Sequence, residues 1–494
     1  MKNVPEITVG VVAVSRDCFP IELSKRRHKK LIETCVQMEL PVVGLQTIIE
    51  TENNIEQALE EIQKNNVNAL VIYLGNFGPE GPSTQLAQKF RPVGPVMFAA
   101  AAEETEENLI HGRGDAYCGL LSASYNLGLR EVKVYIPEYP IGTPEEVANM
   151  IADFIPIART IIGLRHLKII SFGPRPQDFY ACNAPIKPLF NLGVEVMENS
   201  ELDLYDIYRS SENDPHIPAI VNEMAKELGA GNQYPDVLKK LAQYEVALET
   251  FMERNKGTSR YVVFANKCWP SFEKYFTFVP CYVNSRLAAK GIPVSCEVDI
   301  YGVLSEYIAT CATTVPATLL DVNNTVPEDM YKSVKNTIGD YKLTDLFMGF
   351  HCGNTPYNCI VSAQMKYQLI MHRLMEPGKE PDITRGTLEG RIKPGDITIF
   401  RLQSAADSKL RAYIAEGEVI DIEPKSFGGI GIFAIQEMGR FYRHGLVEKQ
   451  FPHHTAVAFK HAGKALFEIM KLLEIRDISV NLPKGMRYKT ENPF

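Results

Sequence analysis

The chain carries no excess of positive charge. Its 52 lysines and arginines face 60 aspartates and glutamates, a formal net charge of −8. That argues against nucleic acid as a partner, because phosphate binding asks for a basic face. No apolar run reads as long enough to span a bilayer, so no membrane role is expected. The N-terminus lacks a secretory leader pattern, since Pro5 and Glu6 interrupt it and Arg16-Asp17 end the apolar stretch. Ten cysteines include no Cys-x-x-Cys pair, so they read as reduced, mostly buried thiols in a cytoplasmic protein. Dinucleotide binding is excluded by the glycine spacing of the 75–81 loop. A phosphate loop at Gly428-Gly429-Ile-Gly431 is excluded by the lack of a following Lys-Ser/Thr and helix. Internal repeats and low-complexity segments are absent.

What is present is an ordinary globular composition, 45% hydrophobic and 23% charged, in 494 residues. That length is too great for one core. Aliphatic runs at 7–14, 41–45, 68–74 and 95–99 alternate with amphipathic stretches at 23–40, 53–66 and 120–129, the pattern of a parallel sheet between helices. A second such unit begins at 167–172 after a long helix over 144–165, with strands at 194–197 and 261–265 and polar helices at 217–228 and 235–255. Beyond Asp321 the pattern becomes short strands at 396–402, 410–415, 418–422 and 431–435, separated by turn residues, and then a helix from about Val457 to Leu473. The expected fold is α/β: two Rossmann-like parallel-sheet domains (1–165 and 166–312) and a C-terminal antiparallel β-barrel domain (313–494).

The candidate chemistry centres on Val294-Ser-Cys-Glu297-Val-Asp299. An apolar strand end leads into Ile300, Val303, Leu304 and Ile308 at helical spacing, which puts Glu297 at a strand-to-helix turn facing the ligand edge of a sheet. Asp321 closes a second apolar run, His351 a third, and the His453-His454 pair follows Phe451-Pro452. Two carboxylates and two imidazoles in such positions suit a divalent cation. Each also has a plain reading: Glu297 as a first-turn carboxylate on a helix dipole, Asp321 as a turn residue, His453-His454 as a cap with one buried ring. Several other residues fall in strand-end loops: Trp269 as a cleft wall, Asn76, and the guanidinium groups of Arg16, Arg113 and Arg175, which can read an anion bidentately or form structural ion pairs.

Taken in order, Cys268-Trp269-Pro270, Cys296-Glu297-Val-Asp299, Leu320-Asp321, Gly349-Phe-His351-Cys-Gly353 and Pro452-His453-His454-Thr455 resemble the L-fucose isomerase/L-arabinose isomerase family. Arg113-Gly-Asp-Ala-Tyr-Cys-Gly119 and Lys393-Pro-Gly-Asp396 extend the resemblance over nearly the whole chain. It implies an aldose–ketose isomerase acting on an open-chain sugar, a Mn²⁺ ion (or Mg²⁺ or Co²⁺), and a homo-oligomer, often a hexamer. It further implies Glu297 and Asp321 as ligands and acid–base pair, His454 rather than His453 as imidazole ligand, and His351 as ligand or substrate contact. Trp269, Asn76, Arg16, Arg113 and His453 are the other expected sugar contacts. L-fucose or L-arabinose is the first expected substrate, with an anionic hexose such as sulfoquinovose as the alternative. A non-catalytic sugar-binding protein is the reading from a different class.

Overall fold

Unbroken aliphatic runs build the first sheet. Strands β1 (Val9–Val14), β2 (Val42–Ile49), β3 (Ala69–Leu74), β4 (Val96–Ala101) and the short β5 (Ile141–Gly142) lie in the order β2-β1-β3-β4-β5, every pairing parallel. Every residue of β1, β3 and β4 is buried, as expected of strands covered on both faces. Helices Ile21–Gln37, Asn54–Lys64, Glu80–Phe90 and Ala116–Leu129 connect them. In this computed structural model, which describes residues 1–110 and 112–494, the sheet belongs to a unit of residues 5–162. The strand order reverses between β1 and β3, so the loops after those strands part at the position where α/β sheets take ligands.

Residues 1–4 and 163–494 form the other unit. Asn3 ties the N-terminus into it. Its amide donates to the carbonyls of Val262 (2.9 Å) and Gly291 (3.0 Å), and its oxygen accepts from the Val262 N–H (3.0 Å). A parallel sheet of β6 (Leu167–Phe172), β7 (Glu195–Asn199), β8 (Tyr261–Ala265) and β9 (Val294–Ser295) runs in the order β7-β6-β8-β9. Here the reversal falls between β6 and β8. Helix Ile300–Thr313 comes next, with all its residues buried. A helix apolar on every side belongs in a core, and this one packs against strands of both this sheet and the next.

The third sheet comprises β10 (Ala317–Asn324), β11 (Leu346–His351), β12 (Ile360–Tyr367), β13 (Arg385–Ile392), β14 (Gly395–Ser404), β15 (Leu410–Ile420), β16 (Gly429–Ala434), β17 (His454–Ala458) and β18 (Asp477–Val480). Their order is β12-β13-β16-β11-β10-β17-β14-β15-β18. Where an antiparallel barrel is expected, the structure has a large mixed sheet, because β13 with β16 and β15 with β18 pair in parallel. An additional antiparallel pairing of β15 with β16 links β16, β11, β10, β17, β14 and β15 in a circuit.

Three further expectations are corrected. The helix expected from Val457 begins only at Gly463 (Gly463–Leu472); residues 454–458 instead pair as β17 with β10 and β14. The separate strands at 410–415 and 418–422 are one strand, β15. It runs through Gly417, where a Cβ would meet the Ala434 carbonyl oxygen at 2.1 Å. Helix Pro144–Arg165 is long and apolar enough by composition to cross a bilayer, against the expectation of no such run; 67% of its apolar stretch is buried in the fold.

A buried ion cluster braces the second unit. Arg286 donates to Glu245 through Nε (2.7 Å) and Nη2 (3.2 Å), with Lys290 also on Glu245 (2.6 Å) and Glu227 on Arg286. Removing one member of such a cluster leaves an under-compensated buried charge. Arg286→Met is expected to cost about 3 kcal/mol in urea unfolding, and adding Glu245→Leu to restore part of that loss.

Candidate active site

Between β9 and helix Ile300–Thr313 the backbone takes two consecutive left-handed residues, Glu297 (φ 61°) and Val298 (φ 58°). For a β-branched residue this is a true outlier, and each such conformation costs of order 1–3 kcal/mol. The surroundings enforce it. The Val298 N–H donates to the Asn266 carbonyl (2.9 Å), the Asn266 N–H to the Ser295 carbonyl (3.0 Å), and Ser295 Oγ to the Asp299 carbonyl (2.7 Å). Asn266 itself is locked by a reciprocal amide pair with Asn284, at 3.1 Å each way.

Asp299 then organises the helix start and the histidine beside it. Its Oδ1 accepts from the Gly302 N–H (2.8 Å), capping the helix. A Cβ on Gly302 would lie 2.6 Å from Asp299 Oδ2, so the close approach needs glycine. From β14, Arg401 grips the same carboxylate with Nη1 (2.6 Å) and Nη2 (2.9 Å) and is held in turn by Gln403. Finally, His454 Nδ1 lies 2.7 Å from Asp299 Oδ2. With Nδ1 so engaged, His454 presents Nε2 to two more carboxylates, Glu297 Oε2 at 3.0 Å and Asp321 Oδ1 at 3.5 Å. Asp321 arrives by register. It sits directly opposite His454 in the β10–β17 pair and opposite Phe350 in the β10–β11 pair, and His351 ends β11. Directly opposed residues share a face of the sheet.

The charges follow from this packing. Burial opposes a charged His454, but the hydrogen-bonded Asp299 carboxylate, the Cys182 thiol and the nearby Glu297 carboxylate raise it well above the ordinary histidine value. Burial likewise opposes ionised Glu297, yet His454, with His351 and His453 beyond it, holds that carboxyl below its ordinary value. Asp299 is buried too, and Arg401 and His454 hold it far below the carboxylate range. His351 and His453 are both lowered, chiefly by burial. Glu306, buried in the adjoining helix, is pushed well up by burial and by the Asp299 charge, so it stays neutral.

Two buried atoms here lack any hydrogen bond: Glu297 Oε2 and His454 Nε2, which face each other within ion-pair distance but without hydrogen-bond geometry. Asp321, His351 and His454 present ligand atoms within 4.8 Å of one another, as do Cys182, Glu297 and His454. The Cys182 thiol is pushed up to about 11 by burial and therefore stays protonated, a poor ligand. The remaining donors, hard carboxylate oxygens and imidazole nitrogen, fit Mn²⁺, Mg²⁺ or Co²⁺. His351 Nδ1 accepts from the Cys352 N–H (2.9 Å), which leaves Nε2 as its one free nitrogen.

The structure thus brings together Glu297, Asp321, His351 and His454. His453 stands beside them with Nε2 3.8 Å from Asp321, and its ring meets Phe179 edge-on at 5.5 Å. Trp269 is half-buried in the loop after β8. Arg16, Asn76 and Arg113 belong to the other unit, each with local partners. Asn76 Oδ1 accepts from the Arg16 N–H (3.1 Å), Arg16 stacks on Phe77 (4.6 Å), and Arg113 pairs with Asp115 (2.8 Å). Arg401, Phe179 and Cys182 carry no signal in the sequence. Asp299 carries a weak one, a carboxylate three residues before Gly302 at a helix start.

The chain is similar to known sugar isomerases over most of its length. A fucose/sulfoquinovose isomerase N-terminal domain model matches residues 10–165, and an L-fucose isomerase C-terminal domain model matches 349–479. A sulfoquinovose isomerase of Priestia aryabhattai is 22% identical over 476 residues, covering 95% of this chain and 98% of that protein. One from Alkalicoccus urumqiensis is 22% identical over 347 residues (69% and 71%), and one from Clostridium sp. (strain MSTE9) 25% over 306 residues (60% and 60%).

The Asp299–His454 pair makes a pH prediction for chelator-treated protein. A raised His454 contributes stability that is fully present below its unfolded value of about 6.5 and is lost as pH rises through the folded value. A lowered Asp299 contributes above about 3.9, and that part is lost as pH falls through its folded value. NMR of ¹³C-labelled histidine is expected to show one imidazolium persisting well above the pH at which an ordinary histidine deprotonates, and Asp299→Asn to bring it back toward the ordinary value.

Proposed function

The chain belongs to the L-fucose isomerase-like family and is an aldose–ketose isomerase, and we propose that it converts an anionic aldose, sulfoquinovose first among them, in its open-chain form. Relatives aligned over nearly the full length are sulfoquinovose isomerases, which favours the anionic hexose over L-fucose or L-arabinose. The observation that carries the chemistry is the meeting of Glu297 and Asp321 at His454 Nε2.

In this reading Glu297, Asp321 and His454 hold the divalent cation, with His351 as a further ligand or a contact to the sugar. When bound, the cation supplies Lewis acidity toward adjacent sugar oxygens and offsets developing negative charge. Glu297 and Asp321 act as the acid–base pair. Glu297, held ionised by its histidine neighbours, starts as a base. Removal of the C2 proton with delivery of a proton to O1 gives the ene-diol, the C2–H electron pair becoming the new C=C bond. Return of a proton to C1 with loss of the O2 proton gives the ketose. Asp299, itself fixed by Arg401, keeps the His454 ring oriented throughout. A purely binding role would leave this carboxylate–imidazole set without a use.

The reading extends to a cytoplasmic homo-oligomer. Among the described residues no disulfide joins the cysteines, which suits a reducing compartment. Helix Ala116–Leu129 contains no charged residue and exposes Tyr117, Leu121, Tyr125 and Leu129 at every fourth position, 62–69% accessible. Such a row is an interface rather than a solvent face. Leu121→Glu is expected to lower the assembly mass seen by light scattering.

Two sets of measurements test the chemistry. Glu297→Gln and Asp321→Asn are each expected to lower kcat by about 10³-fold or more with the fold intact; near-normal turnover in both would refute the roles. Chelation is expected to abolish activity and Mn²⁺ to restore it, with calorimetry showing one cation bound per chain and none in His454→Ala. On a panel of aldoses, a preference for neutral L-fucose or L-arabinose over sulfoquinovose would remove the substrate assignment.

A further inference from the structure

We propose that Arg175 is the residue that reads the anionic end of the sugar, an inference that rests on the substrate class proposed above. The loop after β6 (residues 173–182) is clamped onto the catalytic cluster at several points. At its start, Gly173 packs so closely on Val298 that a Cβ would lie 3.0 Å from Val298 Cγ1. Buried Lys267, in the loop after β8, donates to the Pro174 carbonyl at 2.8 Å and pairs with Glu201 at 3.1 Å. At its end, Phe179 meets the His453 ring and Cys182 Sγ lies 4.0 Å from His454 Nδ1. The loops after β6 and β8 are the two that diverge where the strand order reverses. Arg175 therefore sits on a fixed segment running from the Glu297-Val298 turn to the histidine pair.

Its chemistry is that of a guanidinium awaiting an anion. Arg175 Nε is shielded from solvent and makes no hydrogen bond. The guanidinium carbon lies 4.9 Å over the Tyr180 ring, a contact that orients the plane without neutralising it. Among the described residues no carboxylate lies within ion-pair distance of it. The other cationic groups around this site are spoken for: Arg401 by Asp299, Lys267 by Glu201. The other two strand-end arginines are engaged in the other unit, Arg113 with Asp115 and Arg16 with the Gly78 carbonyl. A planar fork with spare donors suits a sulfonate, carboxylate or phosphate, each of which accepts two parallel N–H bonds.

The test compares sulfoquinovose with quinovose, its neutral counterpart without the sulfonate, for wild-type enzyme, Arg175→Met and Arg175→Lys, all loaded with Mn²⁺. Arg175→Met is expected to lower kcat/KM for sulfoquinovose about 100-fold, mostly through KM, and to change that for quinovose by less than about 3-fold. Arg175→Lys keeps the charge but not the fork and is expected to recover part of the loss. Equal losses on both sugars, or an Arg175→Met enzyme that keeps the wild-type preference, would overturn the assignment alone. A wild-type enzyme that does not prefer sulfoquinovose would overturn the substrate reading and this assignment with it.

Discussion

One carboxylate holds this site together. Asp299 receives the Gly302 N–H in the first turn of the buried helix, both terminal nitrogens of Arg401, and the inner nitrogen of His454. Those partners come from the connection after β9, from β14 and from β17, so a single side chain ties the parallel sheet to the mixed one. The ion pair is fully buried, and a buried pair contributes little net stability while costing several kcal/mol to break. Its use is orientation. An imidazole fixed through Nδ1 can present only Nε2, and Nε2 is where Glu297 and Asp321 meet.

The left-handed turn at Glu297 and Val298 belongs to the same design. An extended continuation of β9 would send the Glu297 side chain along the pleat. The two αL residues reverse the chain in minimal length, so the carboxylate faces His454 while Asp299, two residues on, can still cap the helix. Asn266 and Ser295 supply the hydrogen bonds that over-determine the turn. Strain is thus concentrated where geometry is most exacting, on the rigid edge of a parallel sheet.

Much of this is legible in the sequence, and the reasons are local. Helices Ile217–Leu228 and Pro144–Arg165 and strands Leu167–Phe172 and Tyr261–Ala265 are readable to the residue because periodicity or an unbroken aliphatic run marks them. Glu297, Asp321 and His351 stand out because each closes an apolar run, and His454 because it belongs to a histidine pair after Phe451-Pro452. Strands β12 and β13 do not, since glycine, lysine, arginine and glutamine break their alternation and only pairing reveals them. Arg401 reads as one polar residue in a strand; its meeting with Asp299, 102 positions away in sequence, is a product of register. The β17 strand resembles a helix start because Val457 and the apolar residues after Ala462 share a helical phase, whereas two strand partners decide the matter.

Charge balance explains why one site needs cations at two places. Arg401 cancels Asp299, which leaves Glu297 and Asp321 beside His454. Asp299 first, with Cys182 and Glu297, raises His454 despite complete burial, and the resulting imidazolium faces that pair of carboxylates. A dication beside neutral His454 would cancel both carboxylates, so binding one and releasing the histidine proton are coupled. In the reading proposed above, a sulfonate on the same sugar needs a receiver of its own, and a guanidinium suits it. Arg175, on the loop after β6 and with its Nε unbonded, is the group proposed for that task.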